Sequence, residues 1–356
     1  MIRALVIAAV LALATSPAVA RPLSVGFYLP WDAASRASVV RHAASLDVMA
    51  PMSGALDSAA GRLRWQPDAA PAALPARGRK PKVFPVISNA HDEIWDTAAA
   101  DGALLDPKAG EAFIGALAAA AKAQSYGGYI LDFENLSPQA TPAYAPFLAR
   151  LRTALKPLGR ELWVTVSLGA DPGLIRQLDA ATDAVVIMAY DQCWATGTPG
   201  PVAGQDWFEA TLDAKLPSAK LPSAKQGGAD LSRYVIALGA YGYDWPPVGT
   251  ATVISAPAAA GLAEAQGQTV TREPPAENPH FSYGGHTVWY LDAQTFRAQR
   301  AAAEARHTRG VAIWRLGLED PAIWTKAAPP RAVPPHAAAP GLGPAPPPVC
   351  FAQKPK

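Results

Sequence analysis

The sequence predicts an α/β fold, a barrel in which eight parallel strands close into a ring inside a layer of helices. Short runs rich in β-branched and aromatic residues alternate with longer Ala- and Leu-rich amphipathic stretches, as strands and helices do in such barrels. The short runs are almost continuously apolar, which is typical of parallel strands buried on both faces. The roughly 300 residues between the two ends of the chain suit one barrel of this kind.

Eight runs supply the predicted strands, in chain order 23–29, 46–52, 82–88, 129–134, 162–168, 184–190, 234–241 and 310–315. The stretches 111–124 and 144–158 are predicted helices, with Asp or Pro near their starts and Gly near their ends. Segment 244–292 breaks the alternation, and its run FSYGGHTVWYLD at 281–292 indicates an inserted pair of short strands. The prediction is therefore a (β/α)8 TIM barrel with a small insertion between strands 7 and 8. The direct repeat LPSAKLPSAK at 216–225 is interpreted as a tolerated loop or helix-end insertion.

The first twenty residues have the pattern of a secretory signal peptide. Arg3 precedes an apolar stretch too short to span a membrane, and an A-x-A cleavage signal ends at Ala20. A membrane anchor that stays attached is the alternative, which Pro17 and the small residues around it disfavour. We therefore expect a secreted or periplasmic protein, with no stable membrane insertion after residues 1–20 are cleaved.

The other end of the chain reads as a linker or tail. Residues 327–356 are too rich in Pro and Ala for a helix or sheet, which leaves 21–326 as the barrel. Cys350 lies in this tail and Cys193 in the barrel segment. An oxidising compartment would permit the two to pair, and the sequence leaves open whether they do. A disulfide would tie the tail back across the mouth or the side of the barrel.

The balance of charges excludes some classes of partner. The 31 basic and 29 acidic residues give a net charge of +2, which falls to about +1 when Arg3 is removed. Such a chain has no electrostatic basis for binding nucleic acid or anionic lipid. Its histidines and cysteines show no metal-ligand spacing, so we expect neither a metal nor another cofactor.

Two acids stand one residue apart in the apolar run GGYILDFENL at 127–136. Burying an ionised carboxylate costs several kcal/mol unless partners compensate, so chains rarely do this without a reason. Side chains alternate faces along a strand, and Asp132 and Glu134 are expected to point the same way, roughly 6 to 7 Å apart. The alternative to a catalytic pair is a structural ion pair with Arg or Lys, but the flanking strands offer few inward basic residues.

Polar and aromatic residues also stand at the ends of the other predicted strands. In such barrels the C-terminal strand ends meet at one face and form the active site. The resulting cup resembles a polysaccharide site, where rings stack on sugar faces and carboxylates and amides meet hydroxyls. Its members are Tyr28, Trp31, Ser88, Asn89, Asp132, Glu134, Ser167, Tyr190, Asp191, Tyr241, Tyr243 and Trp314.

Three motifs resemble those of the family 18 glycoside hydrolases, which include chitinases and bacterial cell-wall glucosaminidases. The fourth-strand pattern D-G-x-D-x-D-x-E is matched by Gly128, Asp132 and Glu134. The sixth-strand pattern M-x-Y-D matches 188–191, and the last-strand pattern G-x-x-x-W matches 310–314. The runs YGYDW and WRLGLE are similar to a small bacterial branch, some of whose members are fused to polysaccharide deacetylases or glycosyltransferases.

Two acids of the family pattern are absent, because position 127 is Gly and position 130 is Ile. The resemblance implies that the second missing acid would share a proton and a hydrogen bond with the residue that stands here as Asp132. Asp132 is therefore expected to have one fewer mechanistic partner.

Hydrolysis of a glycosidic bond needs an acid that protonates the leaving oxygen. Glu134, last on the predicted strand and nearest the cleft, is the predicted proton donor. The resemblance implies substrate assistance, in which the 2-acetamido oxygen attacks the anomeric carbon, Asp132 orients that group and Tyr190 donates a hydrogen bond to it. The predicted substrate contacts are Asp191, Trp314, Asn89, Gln192, Trp31 and Trp95. A strand end with a helix-starting Asp is the alternative for the Tyr190–Asp191 pair, and barrel core is the alternative for Trp314.

The leading hypothesis is a secreted glycosidase acting on β-linked N-acetylglucosamine-containing polysaccharide, such as chitin oligomers, peptidoglycan or an exported amino-sugar polysaccharide. A glycan-binding module with weak or no activity is the second, favoured by the missing acids and opposed by the retained Glu134. A structural module that holds a polysaccharide-modifying partner enzyme near its glycan is the third.

Overall fold

The computed structural model describes residues 21–91, 94–216, 230–325 and Cys350. The predicted signal peptide, nearly all of the LPSAK repeat and the tail apart from Cys350 lie outside these ranges. Inside them, no helix is both long enough and apolar enough to cross a membrane.

Eight parallel strands form the closed barrel, with bounds β1 Leu23–Tyr28, β2 Val48–Leu56, β3 Val86–Ser88, β4 Gly128–Asp132, β5 Glu161–Ser167, β6 Ala184–Met188, β7 Tyr234–Gly239 and β8 Gly310–Trp314. Each strand pairs in parallel with the next in chain order, and β8 pairs with β1 to complete the ring. All eight predicted strands are confirmed. The difference that matters is β4, which ends at Asp132 and leaves Glu134 in the loop beyond it.

Alternate residues of each strand point into the barrel, and most of these inward-facing residues are apolar. Ile130 is fully buried there in one cluster with Phe84, Val86 and Trp163. Phe84 also occupies the space beside position 127, where an added Cβ would collide with its ring. Both positions at which the family pattern has an acid thus lie against apolar side chains, which offer a carboxylate no hydrogen bond.

The described ranges contain eight α-helices, with bounds α1 Ala33–His42, α2 Thr97–Leu105, α3 Pro107–Ala123, α4 Thr141–Leu155, α5 Pro172–Ala181, α6 Gln205–Lys215, α7 Ala256–Ala265 and α8 Ala293–Ala305. The two helices predicted at 111–124 and 144–158 are confirmed as α3 and α4, each of which begins earlier. Asp side chains accept backbone N–H groups at the starts of several of these helices, for example Asp32 from Ser35 and Asp292 from Thr295.

The insertion between β7 and β8 is a four-stranded antiparallel sheet packed on α7. Its strands are Gly242–Trp245, Thr252–Ile254, His280–Tyr283 and His286–Tyr290. The predicted pair of strands is confirmed as the hairpin of the last two, whose turn residues Gly284 and Gly285 both have positive φ, as tight hairpin turns require. The other two strands were not predicted.

Cys193 and Cys350 are joined by a disulfide across 157 residues of sequence. Cys193 is fully buried in the loop that follows β6. The pairing that the sequence leaves open is therefore present in the structure, and it fixes Cys350 beside a loop of the barrel mouth.

We expect the native, air-oxidised protein to show no free thiol before reduction and two after it, since both cysteines are in the one bond. A Cys350→Ser variant should show one thiol in both conditions. The measurement is thiol titration in denaturant, and two free thiols in the unreduced native protein would contradict the pairing.

Candidate active site

An open cleft of about 1330 Å³ lies at the C-terminal ends of the barrel strands. The predicted site residues that line it are Asp132, Glu134, Tyr190, Asp191, Gln192, Trp31, Trp95 and Trp314. Asn89 and Tyr28 are members of the predicted cup that do not line it, and both are fully buried. Among the described residues, no group of three or more His, Cys, Asp or Glu side chains is arranged to hold a metal ion.

Asp132 is the last residue of β4 and is 6% exposed. Thr165 on the neighbouring strand β5 donates its hydroxyl hydrogen bond to Asp132 Oδ1. The same hydroxyl lies 3.3 Å from the backbone oxygen of Leu131. One hydroxyl proton serves one acceptor at a time, so Thr165 can donate to an ionised Asp132, or donate to Leu131 and accept from a protonated Asp132. Thr165 can therefore satisfy Asp132 in either protonation state.

Sequence reasoning missed Thr165. The signal was available, because Thr165 is the one hydroxyl residue inside the otherwise apolar strand run LWVTV. Its importance depends on the register that places β5 beside β4, which is a property of the assembled sheet.

Glu134 is held in the loop after β4 by Asn89. The Glu134 N–H donates to Asn89 Oδ1 at 2.9 Å, and Asn89 Nδ2 donates to the Glu134 backbone oxygen at 3.0 Å. Asn89 Nδ2 also donates to the backbone oxygen of Asp96, and the residue is fully buried. The prediction of Asn89 as a substrate contact is thus replaced by a positioning role, because its amide is committed to main-chain partners.

The same contacts correct the predicted place of Glu134. It does not continue the strand, because the Asn89 side chain takes the place of a strand partner and the next residue, Asn135, has φ 53°. Phe133 packs into the helix layer against Tyr144, with ring centroids 5.8 Å apart. The loop is therefore anchored on both sides of the partly exposed Glu134.

Tyr190 and Trp314 form the aromatic wall of the cleft. Their rings are stacked, with centroids 6.4 Å apart and planes 10° from parallel. Burial, and then the charges of Asp132, Asp191 and Glu134, hold the pKa of the Tyr190 phenol well above its usual value. Tyr190 is therefore a neutral hydrogen-bond donor throughout the physiological pH range.

We expect Tyr190→Phe to lower kcat about tenfold, roughly the value of one hydrogen bond between neutral groups. Because the phenol does not ionise at ordinary pH, the shape of the kcat–pH profile between about pH 4 and 9 should stay the same. Tyr283→Phe, which removes a hydroxyl from the insertion outside the cleft, serves as the control. Loss of the acidic or the basic limb of the kcat–pH profile in Tyr190→Phe would contradict the role of Tyr190 as a neutral donor.

Asp191 adopts a left-handed backbone conformation, with φ 60°, directly after Tyr190. Its Oδ1 accepts hydrogen bonds from the hydroxyls of Tyr241 at 2.5 Å and Tyr243 at 3.0 Å. Burial and the Asp191 charge raise the pKa of both phenols, so both remain donors. The YGYDW run thus supplies two tyrosines that fix the Asp191 carboxylate, a role that sequence reasoning did not assign.

The remaining predicted contacts differ in their freedom to meet a ligand. Gln192 accepts a hydrogen bond from the Gly204 N–H at 2.7 Å through Oε1. Trp31 stands at the rim and is 58% exposed. A large exposed Trp at the edge of a cleft is suited to stacking on a ligand ring.

No established family model matches the sequence. The uncharacterized glycosylase YvbX of Bacillus subtilis is 27% identical over 267 residues, which are 70% of this chain and 75% of that protein. The cortical fragment-lytic enzyme of Bacillus anthracis is 26% identical over 215 residues, and the match spans 47% of its length. The chain thus spans about half of that longer relative.

A chitinase structure from Chromobacterium violaceum superimposes with a TM-score of 0.73 and 25% sequence identity, over 85% of this chain and 97% of that one. The similarity to a curated glycosylase and to a chitinase structure, each over most of its own length, indicates a glycosidase and supports the resemblance to the chitinase-like enzymes of glycoside hydrolase family 18.

Proposed function

We propose that the protein is a secreted or periplasmic glycosidase that hydrolyses β-linked N-acetylglucosamine-containing polysaccharide by substrate-assisted, retaining catalysis. The observation that carries this proposal is the convergence of Glu134, Asp132 and the neutral phenol Tyr190 in one cleft beside Trp314. Residues 1–20 would be the signal peptide, 21–326 the catalytic barrel and 327–356 a tail. The Cys193–Cys350 disulfide supports an oxidising compartment.

In the first step Glu134 gives its proton to the leaving oxygen while the glycosidic bond breaks. The acetamido carbonyl oxygen of the same sugar forms the new bond to the anomeric carbon, which leaves a cyclic oxazolinium ion. Asp132, held by Thr165, orients the acetamido N–H and stabilises the positive charge, and Tyr190 donates to the acetamido group. Trp314 would lie under the sugar ring.

In the second step water attacks the anomeric carbon from the side that the leaving group vacated. Glu134, now a carboxylate, takes the proton of that water, and the carbon–oxygen bond to the acetamido group breaks. The product regains its N-acetyl group, Glu134 regains its proton, and the configuration at the anomeric carbon is retained. Asp191, Gln192 and Trp31 would contact substrate around this centre.

A glycan-binding module without catalysis is the second candidate. The observation in its favour is Ile130, which packs among apolar side chains at the position where the family pattern has the acid beside Asp132. Such a module would act with a polysaccharide-modifying partner enzyme.

A matched pair of oligomers tests the mechanism across about pH 4 to 8, one fully N-acetylated and one with glucosamine at the position of cleavage. We expect cleavage of the first and not the second, because only the acetamido group can form the intermediate. Turnover of the N-acetylated oligomer should be slow and should be fastest at the acidic end of this pH range. Equal cleavage of both would show that a protein carboxylate, Asp132, is the nucleophile. Binding of both without cleavage would establish the glycan-binding module instead.

A further inference from the structure

Arg315 has unused hydrogen-bonding capacity at the wall of the cleft. It follows Trp314 at the end of β8, lines the cleft, and is only 17% exposed. Its ion-pair partner in the described ranges is Asp32, 3.4 Å from Nη1 to Oδ2, and Nη1 is a buried atom with no hydrogen bond. A guanidinium carries five N–H donors in a planar fork, and a mostly buried one is costly unless partners meet it.

The ion pair also fixes where Arg315 lies. Strands β8 and β1 are neighbours, and Asp32 in the loop after β1 directly follows the exposed Trp31. Arg315 therefore joins the side of the cleft that holds Trp31 to the wall formed by Trp314. A ligand ring that stacks on Trp31 would lie on the side of the cleft where the guanidinium is.

The charges of the cleft are divided between its two sides. Asp132 ends β4, Glu134 lies in the loop after it and Asp191 follows β6. Strand β4 lies across the ring from β8. Arg315 lies on the β8–β1–β2 side, together with a second cation, Arg64, which belongs to the short strand Leu63–Trp65 that pairs antiparallel with the end of β2. Arg64 contacts His91 at 2.9 Å and lies 3.7 Å from Asp57. An anionic group on this side would face the cations and would avoid the catalytic acids.

The remaining cation among the described lining residues is Lys215, at the end of α6. It lies over the β5–β6 side and donates to the backbone oxygen of Ala170 at 2.9 Å. It therefore serves as the matched comparison for Arg315, because it is a cleft cation in a different place.

We propose that Arg315 binds the carboxylate of an acidic sugar next to the N-acetylglucosamine unit that lies on Trp314. This rests on the proposed function and narrows its substrate to a polysaccharide in which N-acetylglucosamine alternates with a carboxylated sugar. The planar guanidinium fork matches a carboxylate in two parallel hydrogen bonds, which neutral hydroxyls cannot reproduce. The carboxylate can be a lactyl ether or a uronate, and the experiment separates the two.

The test is calorimetric binding to the full chain carrying Glu134→Gln, which prevents turnover. The probes are three tetrasaccharides of equal length, one of N-acetylglucosamine alone, one alternating with its 3-O-lactyl ether, and one alternating with glucuronic acid. We expect at least one acidic probe to bind about tenfold or more tightly than the neutral one at low salt, and the advantage to shrink at high salt. The acidic probe that gains identifies the source of the carboxylate.

Arg315→Gln in the same background is expected to weaken binding of that acidic probe about ten- to a hundredfold and to change binding of the neutral probe less than about threefold. Arg315→Lys should restore part of the loss, because it keeps the charge without the fork. Lys215→Gln should still bind the acidic probe more tightly than the neutral one. Thermal unfolding checks that loss of the Asp32 ion pair has not disturbed α1. If Arg315→Gln does not fold, the same binding measurement is made with Arg315→Lys, which should bind the acidic probe more weakly than the unmodified Arg315 does and bind the neutral probe equally well.

Equal binding of neutral and acidic probes by the Glu134→Gln protein would overturn this inference and leave the proposed function standing. Equal weakening of all probes by Arg315→Gln would overturn it too, since Arg315 would then only shape the cleft. Absence of binding by every probe would overturn the proposed function together with the inference.

Discussion

Glu134→Gln is expected to lower kcat about 10²- to 10⁴-fold, the usual contribution of a positioned general acid. Gln keeps the size and polarity of the side chain and removes the transferable proton. The loop should not move, because Asn89 holds the backbone of residue 134 and not its side chain. Unfolding temperature and glycan affinity should therefore stay close to those of the unmodified protein.

The leaving group makes this expectation sharper. An aryl glycoside with a good leaving group needs little proton donation, so Glu134→Gln should lose less rate on it than on an N-acetylglucosamine oligomer. Glu111→Gln is the matched control, since Glu111 is an exposed residue of α3 paired with Arg150 outside the cleft. Unchanged turnover of the oligomer by Glu134→Gln would remove Glu134 as the acid.

The barrel strands could be predicted because their signal is local. A parallel strand buried on both faces must be apolar along its length, and each of the eight runs shows this without reference to any neighbour. The cup of strand-end residues followed from the same assignment, because all strand ends of a parallel barrel meet at one face.

The role of Asn89 could not be predicted, because it depends on contacts between distant segments. Asn89 and Glu134 stand 45 residues apart, and a side chain that bonds a backbone leaves no mark in the spacing of a motif. The same holds for Asp191 and its two tyrosines, which are separated by 50 and 52 residues. Sequence reasoning found the residues of the cup and missed which of them hold the others.

The disulfide shows a different limit of prediction from sequence. The composition permitted Cys193 and Cys350 to pair, but only the folded barrel shows that the two sulfurs meet. The departures at 127 and 130 are similar, because the sequence showed that two acids were missing and the structure shows that Phe84 and the apolar cluster around Ile130 fill their places.

Asp132→Asn is expected to lower kcat about 10²- to 10³-fold, as the loss of a preorganised electrostatic partner of the transition state does. In the proposed mechanism the carboxylate would stabilise the positive charge of the oxazolinium ion, which a neutral amide could not do. The affinity for an N-acetylglucosamine oligomer should change much less, because the charge develops only as the bond breaks. A loss confined to KM would contradict this role.

Substitutions of Thr165 separate the effect of its hydroxyl on Asp132 from its packing in the barrel. Thr165→Val removes the hydrogen bond that Thr165 donates to Asp132 Oδ1 and nearly preserves the side-chain volume, whereas Thr165→Ser keeps the hydroxyl. We expect Thr165→Val to lower kcat about tenfold, by roughly the value of one hydrogen bond to a charged group, and Thr165→Ser to lower it far less.

The pH dependence gives the readout that a packing defect would not move. A carboxylate that loses a donor is harder to keep ionised, so the acidic limb of the kcat–pH profile should move to higher pH in Thr165→Val and stay in place in Thr165→Ser. In Asp132→Asn that limb should vanish, and adding Thr165→Val to it should cost little more, because the two residues act through one contact. Additive losses in the double variant would show instead that Thr165 serves the barrel and that Asp132 is oriented by other groups.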